Sequence, residues 1–462
     1  MRSRPLSRGG SHVERLARRL APVLAPVLLV FASGCADDSP TSPEQPPSHA
    51  LGSQAAAGAL SFRQVSAGSD HACGVTSDGL AYCWGYNFSG QLGDGTSDGP
   101  ERCGVWPCST RPIAVAGGLH FRHVSAGGAH TCGVTTDERA YCWGDNGNGQ
   151  LGDGTTAAHL TPTAVAGGRR FRQVRAGANH TCAITPFDVA FCWGANFAGQ
   201  GGNGTLTDQP VPVRVVGGLH WRQLSGGAGF SCGVTTDDRA YCWGNNGNGQ
   251  IGDGTSGQVV PRPAAVAGGL RFRQIDAGGS HTCGVTTADR AYCWGYGGQG
   301  QLGDGTTPDT RRRPAPVAGT RRFDHVNAGL FHTCGVTLAG RGFCWGDNAA
   351  GQLGDGTTAN RLTPVPVAGG LALAQVTAGQ HFTCGAIVED RIFCWGDNTY
   401  GQLGDGSTTG SPTPVAVADA MSIATNRGEA RGSMFGDPIW ATGEFTRPIH
   451  ATLRCCESPS VQ

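Results

Sequence analysis

The sequence predicts an all-β chain, a seven-bladed β-propeller of four-stranded antiparallel blades, and three observations predict it. The string Cys-Trp-Gly recurs at Cys83, Cys142, Cys192, Cys242, Cys293, Cys344 and Cys394, in steps of 59, 50, 50, 51, 51 and 50 residues. A fixed period near fifty residues marks stacked supersecondary units. Each period holds four short β runs bounded by turn residues, with no helical periodicity. Of the 462 residues 77 are glycine and only 15% are charged, which suits short strands and tight turns rather than long surface helices. An open solenoid is the alternative. It calls for atypical capping repeats, whereas these units are nearly uniform from 60 to 418.

The N-terminus is of a different kind. Residues 1–19 carry six arginines, and the apolar run LAPVLAPVLLVFA follows at 20–32. Thirteen apolar residues are too few for a bilayer, which needs roughly twenty. They match the apolar region of a secretory signal. The ending ASGC resembles a bacterial lipobox, in which Cys35 becomes the lipidated first residue; an ordinary signal peptide cut nearby is the alternative. Residues 1–34 are therefore expected to be a signal peptide of lipoprotein type. Residues 35–58, rich in Pro, Ser and Ala, read as a disordered tether. This predicts an exported chain held at the cell envelope, on the outer membrane or the cell surface, by its lipid alone. The basic residues are all arginine and balance the acids, so no electrostatic footprint for nucleic acid is present.

Within 59–419 every unit runs in one order. A strand such as FRQVSAG leads to HTCGVT, a polar turn, AYCWG, a long loop ending in GQLGDGT, and then PTPVAVAGG. The segments VSAGGAHTCGV (124–134) and YCWGDNGNGQLGDGT (141–155), with their copies, resemble the repeat of the regulator-of-chromosome-condensation family. The resemblance covers roughly 60–418 and implies a seven-bladed propeller. The chain departs from the family pattern at two positions per repeat, where it carries cysteine.

Those cysteines are paired by spacing. Each Cys-Trp-Gly cysteine follows another by ten residues, giving Cys73-Cys83, Cys132-Cys142, Cys182-Cys192, Cys232-Cys242, Cys283-Cys293, Cys334-Cys344 and Cys384-Cys394. In a hairpin centred on Asp137, Cys132 faces Cys142 and Gly133 faces Tyr141, whose ring would cover the bare glycine. Directly opposed residues have Cα atoms about 4.5–5.5 Å apart, within disulfide reach. Export supplies the oxidising compartment. Zinc is the rival, since His130 and Cys132 share a strand face. Phe230 and Phe382, however, replace the histidine in two units that keep both cysteines. His71, His130, His180, His281 and His332 are then expected to be structural, bonded to loop backbone. Besides Cys35, the remaining cysteines Cys103, Cys108, Cys455 and Cys456 allow three pairings. Cys103-Cys108, pinching the insertion SDGPERCGVWPCST, is the first expectation. Residues 420–462 depart from the repeat as a divergent tail.

No catalytic constellation, metal site or cofactor is expected. Asp145-Asn146-Gly147-Asn148-Gly149 fails the spacing of a calcium loop, and GNGQLGDG precedes neither Lys-Ser/Thr nor a helix. Both read as turns. The candidate binding residues are apolar intruders in polar loops: Tyr86, Phe88, Phe197, Tyr296, Leu330, Phe331 and Tyr400. Trp106 of the insertion and the run Arg311, Arg312 and Arg313 are placed in loops of the same face, opposite short charged turns such as TTDER. Aromatic and arginine side chains supply interface hot spots. The plain alternative is that the rings merely cap each blade.

The expected function is a non-enzymatic, monomeric interaction scaffold that binds an unidentified protein or envelope polymer through this face. The resemblance also allows nucleotide exchange on a small GTPase and inhibition of a secreted hydrolase. A polysaccharide-active enzyme and a purely adhesive protein are further classes. Fold alone does not choose among them.

Overall fold

Alternating short strands and glycine-rich turns form seven antiparallel sheets in the computed structural model, which describes residues 60–420. The expected signal peptide, Cys35, the tether, and the tail from 421 with Cys455 and Cys456 lie outside the described residues. Blade 1 comprises β1 (Phe62–Ala67), β2 (His71–Thr76), β3 (Ala81–Tyr86) and β5 (Trp106–Ala114), with β4 (Glu101–Cys103) added at its outer edge. Blade 2 is β6 (Phe121–Ala126), β7 (His130–Thr135), β8 (Ala140–Gly144) and β9 (His159–Ala164). The other blades span 173–214, 221–265, 272–316, 323–366 and 373–416. All four long strands of each blade come from one repeat. Among the described residues the sole helical segment is a 3-10 turn at Ala368–Gly370.

Register follows from the hairpin turn. Cys132 pairs with Cys142, Gly133 with Tyr141 and Val134 with Ala140. Glu138 supplies the left-handed residue of that turn (φ 66°), as Asp238 and Asp289 do in later blades. Each of the seven cysteine pairs is joined, with Cα atoms 4.0–4.1 Å apart, and Cys103 is joined to Cys108. The ring that covers Gly133 is not Tyr141. A Cβ on Gly133 would lie 2.5 Å from Cδ1 of Phe121, which arrives from the neighbouring first strand. Register alone could not show this, because Phe121 crosses from another hairpin.

The hydrophobic cores lie between blades, not within them. Cys73 and Cys83 of blade 1 are buried with Phe121, Val124 and Trp143 of blade 2. The same arrangement repeats around the ring until Cys384 and Cys394 of blade 7 pack on Phe62, Val65 and Trp84 of blade 1. A single blade thus leaves its apolar side open until its neighbour arrives. The ring also closes through backbone: Phe62 N–H donates to Asp390 O at 2.7 Å.

One polar joint recurs at every interface. The indole Nε1–H of each Cys-Trp-Gly tryptophan donates to a backbone carbonyl of the preceding blade. The acceptors are Gln402, Gln91, Gln150, Gln200, Gln250, Gln301 and Gln352, at 2.9–3.0 Å. A Thr or Ser hydroxyl from the same later blade donates to the same carbonyl in six joints, as Thr131 does to Gln91 at 2.9 Å. The seventh has Ala72 in that place, fully buried and facing the blade 7 core. The joint between blades 4 and 5 combines Phe230 with Thr282, so a phenyl ring there tolerates the hydroxyl. Ala72→Thr is therefore expected to add the missing bond to Gln402 and stabilise the protein by about 1 kcal/mol, read as a higher midpoint in chemical denaturation.

Candidate interaction face

Antiparallel connectivity sends the first-to-second and third-to-fourth strand loops to one face and the second-to-third turns to the other. The long loops are preshaped from within. Buried Asn146 accepts from Leu151 N–H at 3.0 Å and donates through Nδ2 to Asp153 Oδ1 and to the carbonyls of Thr155 and Ala157. Asp153 in turn accepts from Thr155 N–H at 2.9 Å. These carboxylates and amides build turns.

Four of the predicted side chains meet at the seam between blades 7 and 1. The rings of Tyr86 and Tyr400 lie 4.8 Å apart; Tyr86 also stacks on Phe88 at 6.3 Å and meets Trp106 edge-on at 6.1 Å. Phe88 and Trp106 close the group at 6.4 Å. Phe88 is 60% exposed and Trp106 42%. Trp106 sits in a strand rather than a loop: the insertion folds as a hairpin, with Cys103 paired to Trp106 around Gly104 and Val105. Val105, at the tip, is 78% exposed and escaped the sequence reading because a lone valine among turn residues carries no pattern.

The other candidates are dispersed. Tyr296 and Phe331 form an edge-on pair at 6.3 Å across blades 5 and 6. Leu330 turns toward the central channel. Phe197 is exposed and, among the described residues, stacks on no other ring. Arg311, Arg312 and Arg313 are strand residues (Arg311–Pro316), not loop residues. Arg311 is held by Asp304 at 2.9 Å, and the guanidinium of Arg313 lies over Gly254 of the preceding blade. The arginine run extends the loop-closing strand because its backbone must pair with the strand containing Cys293. The opposite face also differs from expectation. Its turns are not uniformly charged, since Phe187 (82% exposed), Leu338 and Val388 sit at three tips.

The first strands line a central channel and tie neighbouring blades. Gln64 pairs through its amide with both backbone groups of Val124, donating at 2.9 Å and accepting at 3.0 Å. Gln223, Gln274 and Gln375 do the same for Ile275, Val326 and Val65. His123 and His325 accept from Val174 and Val376 N–H.

The five strand histidines are bonded to the next blade, not to loop backbone. His130 Nε2 meets Thr181 Oγ1 at 2.9 Å, and His71, His180, His281 and His332 make the equivalent contact at 2.8 Å. Each of those hydroxyls gives its own proton to a Gln carbonyl, so the imidazole donates and is the neutral Nε2–H tautomer. The contact crosses blades fifty residues apart, which no local reading of HTC reveals. Burial pushes His71, His180, His281 and His332 down to about 3 and His130 to about 4.

Seven sheets latched head to tail around a polar channel define a repeat-built propeller with one loop-bearing face. The RCC1-like domain profile matches residues 29–329, and that of the regulator of chromosome condensation (RCC1) repeat matches 339–386 and 389–425. The chain belongs to the RCC1-like domain family. It is 30% identical over 301 residues to the ultraviolet-B receptor UVR8 of Arabidopsis thaliana, covering 64% of this chain and 44% of the receptor. It is 29% identical over 297 residues to the human E3 ubiquitin-protein ligase HERC2, covering 64% of this chain and 5% of the ligase. The matched region thus spans less than half the length of these relatives. Among solved structures, human WBSCR16 superposes with a TM-score of 0.64 at 22% identity, covering 71% of this chain and 87% of that one. Yeast RCC1 (Prp20) superposes with a TM-score of 0.65 at 18% identity, covering 78% and 85%. These likenesses establish the fold.

The buried histidines set an acid limit on stability. Above about pH 6.5 folded and unfolded chains both hold them neutral. Below it the unfolded chain takes up protons that the folded one refuses, until the folded rings protonate near pH 3 to 4. Stability should therefore fall as pH drops through this window, by about 1.4 kcal/mol per pH unit for each histidine. His130→Phe, the residue type found naturally at Phe230 and Phe382, should fold and should shallow that slope by one histidine's share in denaturant titrations. An unchanged slope would contradict the assignment.

Proposed function

We propose that this chain is a non-enzymatic protein-docking scaffold. In this reading it is exported, lipid-anchored at the bacterial cell envelope, monomeric, and engages a protein through its loop-bearing face. The observation that carries the reading is the four-ring patch at the seam, presented in part on a disulfide-pinned hairpin. Aromatic rings held in place supply contact area at little entropic cost. Asp70 and Asp397 flank the patch; burial raises the Asp70 carboxyl and the charge of Asp397 raises it further. The face so composed suits a partner that offers an apolar segment beside basic side chains.

Docking has precedent among structures of this fold. Yeast RCC1 (Prp20) is solved bound to Kap60, and Prp20p is described with binding to Gsp1p and histones. Exchange on a cytosolic GTPase sits poorly with the export signature at 1–35. Inhibition of a secreted hydrolase is the second reading, favoured by the hairpin tip at Gly104-Val105, since a braced protrusion can enter a cleft with little loss of freedom.

A photo-crosslinking residue placed at Val105 should capture a discrete protein in the native envelope, whereas one at Phe187, on the opposite face, should not. Replacing Phe88 and Trp106 together by serine should abolish the capture. Crosslinks from Phe187 alone, or capture unaffected by the double substitution, would overturn the reading. A captured hydrolase that loses activity on binding would select the inhibitor form.

A further inference from the structure

The central channel breaks its sevenfold order at one level. At that level the first strands present Ser66, Ser125, Arg175, Ser225, Asp276, Asn327 and Thr377 inward. Six of these seven accept from the amide N–H one residue further along the next blade's first strand, as Ser66 does from Ala126 at 3.0 Å and Asp276 from Ala328 at 2.8 Å. Arginine has no acceptor, so Arg175 leaves the tier. Its guanidinium makes one long bond, from Nη1 to Val174 O at 3.4 Å, and among the described residues no carboxylate comes within ion-pair distance.

Two blades on, Asp276 breaks the tier in the opposite sense. Its two oxygens each take one bond, from Ser225 Oγ and from Ala328 N–H, both at 2.8 Å. Each oxygen keeps acceptor capacity that these bonds leave unused, and Asp276 lines the channel. Arg175 and Asp276 thus carry opposite charge on the wall of one cavity of about 490 Å³, within the range of roughly 300–1,000 Å³ common to small-molecule sites. Burial works against both charges. It lowers the guanidinium, and it pushes the Asp276 carboxyl up to about 6 despite the hydrogen bonds and the Arg175 charge that favour ionisation.

We propose that this channel binds a small zwitterion, a free amino acid, with its carboxylate on Arg175 and its ammonium on Asp276. A simple anion would gain Arg175 but meet the like charge of Asp276, and a simple cation the reverse. A molecule bearing both charges satisfies both walls, where each charge otherwise stands in the channel without a direct counter-ion. Charge-assisted bonds at either end are the strong kind. The rest of this level offers hydroxyl and amide groups that can orient a polar backbone. The site lies away from the seam patch and does not depend on the docking reading.

Serine is the commonest residue of the tier, so Arg175→Ser and Asp276→Ser restore the pattern of the other blades and should fold, with thermal midpoints equal to or above that of the parent. The test is isothermal titration of the purified protein with individual L-amino acids, with acetate and ethylamine as single-charge probes. At least one amino acid should bind saturably at one site and raise the thermal midpoint of the parent. Each serine variant should weaken that binding by roughly tenfold or more, and acetate and ethylamine should bind weaker by a similar factor. Absence of binding by every amino acid at millimolar concentration would overturn the proposal. So would binding that survives both substitutions, or acetate binding as tight as the amino acid's.

Discussion

One backbone carbonyl per blade governs the assembly. The glutamine midway along each long loop points its C=O into the next blade, where a tryptophan indole and, in six joints, a hydroxyl converge on it. The loop can reach only because the residue after the buried leucine is glycine. A Cβ on Gly152 would stand 2.5 Å from the Nε1 of Trp193, and the backbone there is left-handed (φ 73°). Asn146 holds the loop in the shape that delivers the carbonyl. A local asparagine thus sets a contact between blades, and its repetition closes the ring.

Two kinds of constraint act in series. The cystine within each blade fixes a hairpin that would be marginal alone, with roughly 2–3 kcal/mol per bridge in the chain-entropy account. The cystine then serves as apolar surface, because it is buried together with aromatic residues of the next blade, Phe171 and Trp193 for Cys132-Cys142 and Trp221 and Trp243 for Cys182-Cys192. The indole joints and the glutamine amides of the channel link one hairpin to its neighbour. Local order comes from sulfur and long-range order from hydrogen bonds beneath an apolar cover. The joint between blades 7 and 1 is the most apolar, with Ala72 and Phe382 where five others carry hydroxyl and imidazole and the joint between blades 4 and 5 keeps the hydroxyl of Thr282 beside Phe230. The exposed aromatic patch stands over that same seam.

The repeat made the fold legible. A fifty-residue period, four β runs and a ten-residue cysteine spacing suffice to place seven blades and the cross-strand register of Cys132 and Cys142, because both follow from local geometry. Contacts between repeats were not legible. Nothing in HTC says that His130 bonds Thr181, and nothing in FRQ says that Gln64 pairs with Val124 of the next blade. The candidate face was half legible. Tyr86, Phe88, Trp106 and Tyr400 stood out as aromatic intruders, but the closure that brings residue 400 beside residue 86 exists only in the ring. Arg311, Arg312 and Arg313 misled because a charged run resembles a loop, whereas strand pairing with the neighbouring cysteine strand decides their place.

The fold supplies a rigid frame, and its departures from symmetry supply places for function: the inserted hairpin at the seam, and the two opposed charges in the channel. Both depend on a ring whose joints do not open singly. Hydrogen exchange at the indole N–H groups of Trp84, Trp143, Trp193, Trp243, Trp294, Trp345 and Trp395, followed by NMR, tests this directly. A ring latched as described predicts that all seven exchange slowly and at one rate set by global unfolding. Rapid exchange at individual tryptophans, blade by blade, would contradict it.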